Sequence, residues 1–295
     1  MLEFRPLTLE DKDWVSDYYR KKDVSASQFS FAANYVWRLA YPIAVCEDEG
    51  FFFAKVQIKE EYSFLCPIGA GDFRKAMGKI EKYCRENGLS VRLHGVLEPD
   101  KEKLEEIFGT RMVFRNNRDD AEYIYEREAL ANLNGKRYHG KRNHIKRFMD
   151  HDWSYEAISE QNIEECISMQ RAWCRQNSCA SDDDKINEGC AAMLALRNFF
   201  KLDFKGGLLR QNEKVVAYTI GEPVGNSTFT VHFEKAFSEI QGAYPAVNQL
   251  FVQSEMEGFR YVNREEDTGS EGLRKAKLSY HPVFLLEKYT AELMG

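Results

Sequence analysis

No stretch of this sequence stays apolar for anything near the length of a membrane span, so no integral segment is expected. The opening residues, Met1 to Lys12, lack a secretory signal's basic region and hydrophobic stretch, and a reducing cytoplasm is the expected setting. Cysteine is scarce, at 7 residues, odd in number and never spaced Cys-x-x-Cys, which argues against a disulfide framework and a zinc site. Gly-x-Ser-x-Gly, a Walker loop and His-Glu-x-x-His are all missing, which removes the hydrolase elbow, the P-loop and zincin chemistry. An excess of positive charge is missing too. With 41 basic and 47 acidic side chains the net charge is -6, so any phosphate or nucleic-acid contact must come from a local patch. What is there is a globular composition, 43% hydrophobic and 13% aromatic over 295 residues, enough for two packed domains.

The pattern of elements repeats. In the first half, alternation and turn residues predict a strand over 3–7, helices over 8–21 (with Thr8 as cap) and 27–39, and strands over 43–46, 51–58 and 62–66. A helix then runs from Gly69-Ala70-Gly71 to a stop at Gly88, followed by a strand over 90–96, a helix over 100–108 and a closing pair of strands, 111–115 with 122–125. The second half gives the same order: strand 153–158, helices 162–176 and 184–200, and a meander over 207–210, 215–222 and 227–233. Helix 245–257, strand 260–263, a short helix 272–278 and a last strand 283–289 complete it. Asp182-Asp183-Asp184 lacks a calcium loop's glycine and glutamate and predicts a helix cap instead. So long a repeat predicts an α/β protein of two homologous domains, 1–128 and 153–295, joined by a basic linker helix over 129–152.

That linker carries Lys136, Arg137, Lys141, Arg142, Lys146 and Arg147 with no acid among them, while Ile145 and Phe148 are placed to pack inward. Such a stripe suits a CoA phosphate, a tRNA acceptor arm or an anionic lipid surface. It equally suits a solvated helix balancing Asp150, Asp152 and Glu156. Further chemistry gathers between Asn263 and Pro282. Gly269 and Gly272 turn the chain into a short helix bearing Arg274, Lys275 and Lys277, which must stop before Pro282. Cations beside the free amides of a helix start can hold a phosphate or carboxylate, with Glu265, Glu266 and Asp267 as neighbouring acids or bases. The alternative is a helix in which Glu271 pairs with Lys275 while Leu273, Ala276 and Tyr280 form the buried stripe.

Three segments, 136–148, Gly242-Ala243-Tyr244-Pro245-Ala246-Val247-Asn248 and 263–282, resemble the soluble bacterial relatives of the phosphatidylglycerol lysyltransferase catalytic domain. The element order resembles the tandem GCN5-related acetyltransferase (GNAT) fold of the Fem-type peptidoglycan aminoacyltransferases, and the resemblance covers essentially the whole chain. It implies mixed sheets, a donor held between two splayed strands of the C-terminal domain, and an acceptor in the cleft between domains. The implied reaction moves an acyl or aminoacyl group from acyl-CoA or aminoacyl-tRNA to an amine or hydroxyl, on a small molecule or a lipid. CoA would be the cofactor of the first donor, and no metal is implied.

The resemblance puts the donor's phosphate cradle on the loop from Glu239 to Tyr244. Gly242, Ala243, Tyr244 and Asn248 join Arg274, Lys275 and Lys277 as donor-binding residues, and Glu239 leads the loop where Gln or Arg is usual. The counterpart in the first half, Cys66 to Gly71, has the glycines but is followed at once by Asp72, which repels phosphate and marks that domain as a degenerate partner. Backbone amides over 229–233 are implied as oxyanion donors. His232, Glu234 and Asp267 are candidate bases and Tyr280 a candidate proton donor to the leaving group, while His232 equally suits a satisfied core histidine and Glu234 and Asp267 solvated loop ends. A reading of a different class is a non-catalytic module whose basic patches recognise nucleic acid or a phosphorylated partner.

Overall fold

The computed structural model describes residues 1–179 and 183–294. The first half forms β1 (Arg5–Pro6), α1 (Lys12–Lys22), α2 (Phe31–Trp37), β2 (Ile43–Asp48), β3 (Phe51–Ile58), β4 (Glu61–Phe64), β5 (Ile68–Gly69), α3 (Phe73–Asn87), β6 (Arg92–Val96), α4 (Glu98–Phe108), β7 (Met112–Asn116) and β8 (Glu122–Glu126). A connecting stretch holds α5 (Arg127–Asn132) and α6 (His139–Met149). The second half has β9 (Trp153–Ala157), α7 (Ile163–Gln176), α8 (Asp183–Arg197), β10 (Lys205–Gln211), β11 (Lys214–Pro223), β12 (Thr228–Ala236), α9 (Ala243–Glu255), β13 (Tyr261–Asn263), α10 (Glu271–Leu278), β14 (Phe284–Leu286) and β15 (Tyr289–Leu293). The cap expected at Asp182-Asp183-Asp184 lies outside the described residues and side chains.

Local chemistry sets the ends of these elements. Asp72 caps α3 by accepting the Lys75 amide at 3.1 Å, Ala76, Met77, Ile80 and Cys84 line its buried face, and left-handed Gly88 ends it. In α9 the buried stripe is Ala243, Ala246, Val247, Phe251 and Val252, small at its start so that the helix can lie close to its neighbours.

Both halves build a mixed α/β layer. The first sheet runs β1-β2-β3-β4-β6-β15-β7 with β5 on β3, and the second runs β14-β8-β13-β12-β11-β10-β9. Two strands have changed places. β8 lies between β13 and β14, with Tyr125 opposite Val262 and Ile124 opposite Phe284. β15 lies between β6 and β7, with Ala291 opposite both Leu93 and Phe114. Each half therefore completes the other's sheet at the equivalent position. This corrects the expected pairing of 111–115 with 122–125, and boundaries at 128 and 153 do not separate the sheets. The expected last strand, 283–289, is instead two short strands in different sheets.

A common core joins the halves. Phe29, Val36 and Phe52 of the first belong to one buried cluster with Ala192, Leu196, Phe199 and Phe233 of the second. Trp37 stacks on Phe233 with ring centroids 6.4 Å apart. Among the described residues no helix is long and apolar enough to cross a membrane.

Candidate active site at the splayed strands

β12 and β13 run parallel but pair only over residues 228–230 and 261–263. Beyond Thr230, β12 keeps β11 on one side and has no strand on the other among the described residues. β13 stops because Asn263 is tied down: wholly buried, it donates to the Ser25 carbonyl at 2.7 Å and to Glu122 at 2.5 Å. The chain then turns away through Glu265 and Thr268, both at positive φ. The wedge so opened, between β12 and residues 264–267, is where the resemblance expects the donor.

Charged groups fill its base. His232 is 1% exposed at the side chain, with Nε2 3.0 Å from Glu222 and Nδ1 2.7 Å from Glu265. Burial alone would lower the imidazole, but Glu265 and then Glu222 outweigh it and lift it to about 10. The Ser30 hydroxyl, from the first half, donates to Glu222. Alongside, Glu122 accepts from Lys288 at 2.8 Å and from the amide and hydroxyl of Ser27 at 3.0 Å and 2.6 Å. His232 is thus a buried imidazolium clamped between two acids of the second half, one of which the first half reaches through Ser30, and this takes it out of the role of base.

The 263–282 segment is also used internally. Asp267, 0% exposed, accepts from Arg274 at 2.7 Å and 2.8 Å, from the Tyr123 hydroxyl at 2.5 Å and from the Gly269 amide at 3.0 Å. Arg274 above all holds that carboxyl well below the usual range, so Asp267 is a fixed anion and no base. Arg274 also donates to Asp119 at 2.5 Å, so its guanidinium is committed and not free for a phosphate. Lys277 points inward. Its ammonium donates to the carbonyls of Arg264 at 2.6 Å, Glu265 at 3.1 Å and Glu266, and burial pushes it down to about 8. Of the three expected cations only Lys275 is exposed, and Leu273 and Ala276 are exposed rather than buried. Tyr280 is 5% exposed and burial pushes its hydroxyl up, which makes it a poor proton donor to a leaving group.

The expected cradle is largely closed. Gly242 has φ +88° and a Cβ there would lie 2.1 Å from the His144 carbonyl of α6. That glycine therefore serves helix contact. The Ala243 amide donates to the Ile240 carbonyl at 3.2 Å, Pro245 has no N–H, and Glu239 takes the Gln176 amide at 2.8 Å. Ala243 and Asn248 are buried and Tyr244 half-buried. By contrast, Lys136, Arg137, Lys146 and Arg147 are exposed and form no ion pair among the described residues. Arg142, also exposed, donates to the carbonyls of Leu133 at 2.5 Å and Gly135 at 2.8 Å. Ile145 and Phe148 pack inward as their spacing predicts. Lys141 leaves the stripe and lies 3.9 Å over the Tyr280 ring.

Glu234 remains. On β12 beside the open edge, its side chain is 11% exposed and holds Arg264 at 2.8 Å and Asn248 at 2.9 Å. Arg264, Glu222, Glu122 and Lys288 were not singled out by sequence. The available signal was a charge inside or just beyond an apolar strand, as in Glu122-Tyr123-Ile124-Tyr125.

A model of the family described as phosphatidylglycerol lysyltransferase, C-terminal, matches residues 19–292. The chain belongs to that family. It is a family of aminoacyl- and acyl-group transferases, and the fold agrees. A crystal structure of a conserved protein of unknown function from Bacteroides thetaiotaomicron is 38% identical, with a TM-score of 0.95 over 99% of this chain and 100% of that one. L-PGS from Bacillus licheniformis superposes with a TM-score of 0.68 at 14% identity, over 96% of this chain and 91% of that one. FemX gives 0.58 at 8% identity, over 98% and 96%. These last two share the tandem GNAT-like fold with this chain. No curated protein matches the sequence.

Proposed function

We propose that this protein is a cytoplasmic transferase that moves an aminoacyl group from aminoacyl-tRNA to an amine or hydroxyl acceptor. The observation that carries the choice of donor is the contrast between two helix surfaces. The start of α9, which a CoA pyrophosphate would need, abuts α6 and has two of its amides spent or missing. α6 and the turn that leads into it present Lys146 and Arg147, and Lys136 and Arg137, to solvent without acidic partners among the described residues. Unpaired cations along a helix suit the spaced phosphates of RNA. Family membership supports group transfer.

Within the wedge, Glu234 is the base. His232 and Tyr280 are sealed and Asp267 is wholly buried under Arg274, whereas Glu234, though it holds Arg264 and Asn248, keeps some exposure on the strand that borders the open edge. Glu234 takes the proton of the acceptor nitrogen or hydroxyl, whose lone pair bonds to the aminoacyl carbonyl carbon. The ester bond to the tRNA ribose breaks, and the proton passes to the ribose oxygen. Backbone amides of β12 stabilise the oxyanion between these steps.

The test is binding of aminoacyl-tRNA across a salt series, with a Lys136/Arg137/Lys146/Arg147→Ala variant. Affinity should fall steeply with salt, by about 0.7–0.9 log units per log unit for each phosphate contact, and the variant should flatten the slope. Salt-independent binding, or binding of acetyl-CoA in preference to tRNA, would overturn the choice of donor.

A further inference from the structure

Behind the open edge of β12, Nη1 of Arg264 and Oδ1 of Asn248 are sealed from solvent and form no hydrogen bond among the described residues. They belong to one cluster. Glu234 accepts from Nη2 of Arg264 at 2.8 Å through one oxygen and from Nδ2 of Asn248 at 2.9 Å through the other. That contact fixes the amide's orientation, since only its nitrogen can donate to a carboxylate, and it leaves Oδ1 as an acceptor pointing elsewhere. Asn248 is 1% exposed and the Arg264 side chain 12%. A buried guanidinium N–H and a buried amide oxygen left unbonded are costly, and a folded protein keeps such a pair where something else completes them.

Lys141 closes the cluster from α6. Its ammonium lies 3.9 Å over the Tyr280 ring, which also carries the Arg264 guanidinium at 4.7 Å. Among the described residues it forms no hydrogen bond or ion pair, and burial, then Arg264, push it down to about 8. Arg264 and Lys141 thus outnumber the one carboxylate, Glu234, so the cluster lacks negative charge.

The unmet needs define the missing partner. It must bring a negative oxygen to Arg264 and Lys141, and an N–H donor to Asn248 Oδ1 and Glu234. We infer that this cluster is the acceptor site and takes a free α-amino acid, its carboxylate on Arg264 and Lys141 and its ammonium between Asn248 and Glu234. Phosphate or a bare carboxylate answers only the cations, and a simple amine only the acceptors. The way in is Lys141, half-buried on a flexible stem, which moves off the Tyr280 ring to meet the carboxylate. The acceptor role rests on the proposed transfer, but the binding does not. In transfer, the ammonium gives one proton to Glu234 and its nitrogen bonds to the aminoacyl carbonyl carbon. The carbon–oxygen bond to the ribose breaks, and a second nitrogen proton ends on the ribose oxygen as its hydroxyl.

Titration calorimetry on the whole protein tests this, with each standard amino acid as ligand and acetate, ethylamine and inorganic phosphate as controls. At least one amino acid should bind saturably and none of the controls should match it. Lys141→Met, on a solvent-facing helix, and Arg264→Lys should each weaken binding about tenfold or more, the worth of one charge-assisted hydrogen bond. Circular dichroism establishes that each variant is folded, and Lys141→Met alone decides the matter if Arg264→Lys is not. No amino-acid binding by folded protein, phosphate binding as well as any amino acid, or undiminished binding by folded variants would each overturn the assignment. Amino-acid binding without any tRNA-dependent transfer would spare this site and sink the proposed function, and the reverse result would do the opposite.

Discussion

Replacing His232 by glutamine leaves Glu222 and Glu265 facing each other with no cation between them. Breaking a buried charge cluster in this way costs about 3–5 kcal/mol, which an equilibrium urea titration would measure. The effect carries a pH signature. The imidazole's folded value, about 10, lies above its ordinary 6.5, so the stabilisation is complete below pH 6.5 and fades as pH rises through about 10. The stability gap between wild type and His232→Gln should therefore shrink as pH rises from neutrality toward 10; a gap independent of pH across that range would contradict the buried imidazolium. The sequence places His232 on a strand beside a site and singles out Glu265, but not Glu222. Nothing in the spacing said that Glu222, on the antiparallel neighbour, and Glu265, past the next strand, would close on the two ring nitrogens. Only the register of β11 and β13 against β12 decides that.

At the scale of elements, α10 shows why periodicity misled. An apolar stripe is expected where a helix meets an apolar layer, but the inner face of α10 meets the carbonyls of residues 264–266. The residue that turns inward is accordingly Lys277, while Leu273 and Ala276 face out. Lys277→Met should cost about 2–3 kcal/mol, since buried acceptors lose their donor, and should loosen the far wall of the wedge. Hydrogen exchange at residues 264–267 would report it, and unchanged protection would contradict the clamp. The contact of α9 with α6 depends on one glycine. Gly242→Ala places a methyl against the His144 carbonyl at a backbone angle that alanine rarely adopts. The urea midpoint should drop by the equivalent of about 2 kcal/mol or more. An unchanged midpoint would free Gly242 for the ligand role that its place in the loop suggested.

For the whole molecule, the repeat of elements was legible from turn residues and alternation, and so was the mixed α/β class. The exchange of β8 and β15 was not. Glu122, Tyr123, Ile124 and Tyr125 are buried on both faces, as a central strand requires, but burial pattern does not say in which sheet. The exchange, with the shared core around Phe52, Phe199 and Phe233, makes the halves interdependent. Fragments 1–152 and 153–295 expressed separately should therefore fail to fold, each carrying a strand that belongs to the other. A dispersed amide spectrum from either fragment alone would contradict this. The same interdependence holds the wedge, because Ser27, Ser30 and Ser25 of the first half fix Glu122, Glu222 and Asn263 of the second-sheet site.

The reaction proposed for this wedge moves an aminoacyl group off tRNA. Aminoacyl-tRNA labelled in its amino acid, incubated with the protein and a mixture of small-molecule amines and amino acids, tests it most directly. The label should move into a nuclease-resistant product, and Glu234→Gln or the Lys136/Arg137/Lys146/Arg147→Ala variant should abolish the movement. Label that stays on tRNA with folded wild-type protein, while acetyl-CoA is consumed under the same conditions, would contradict it.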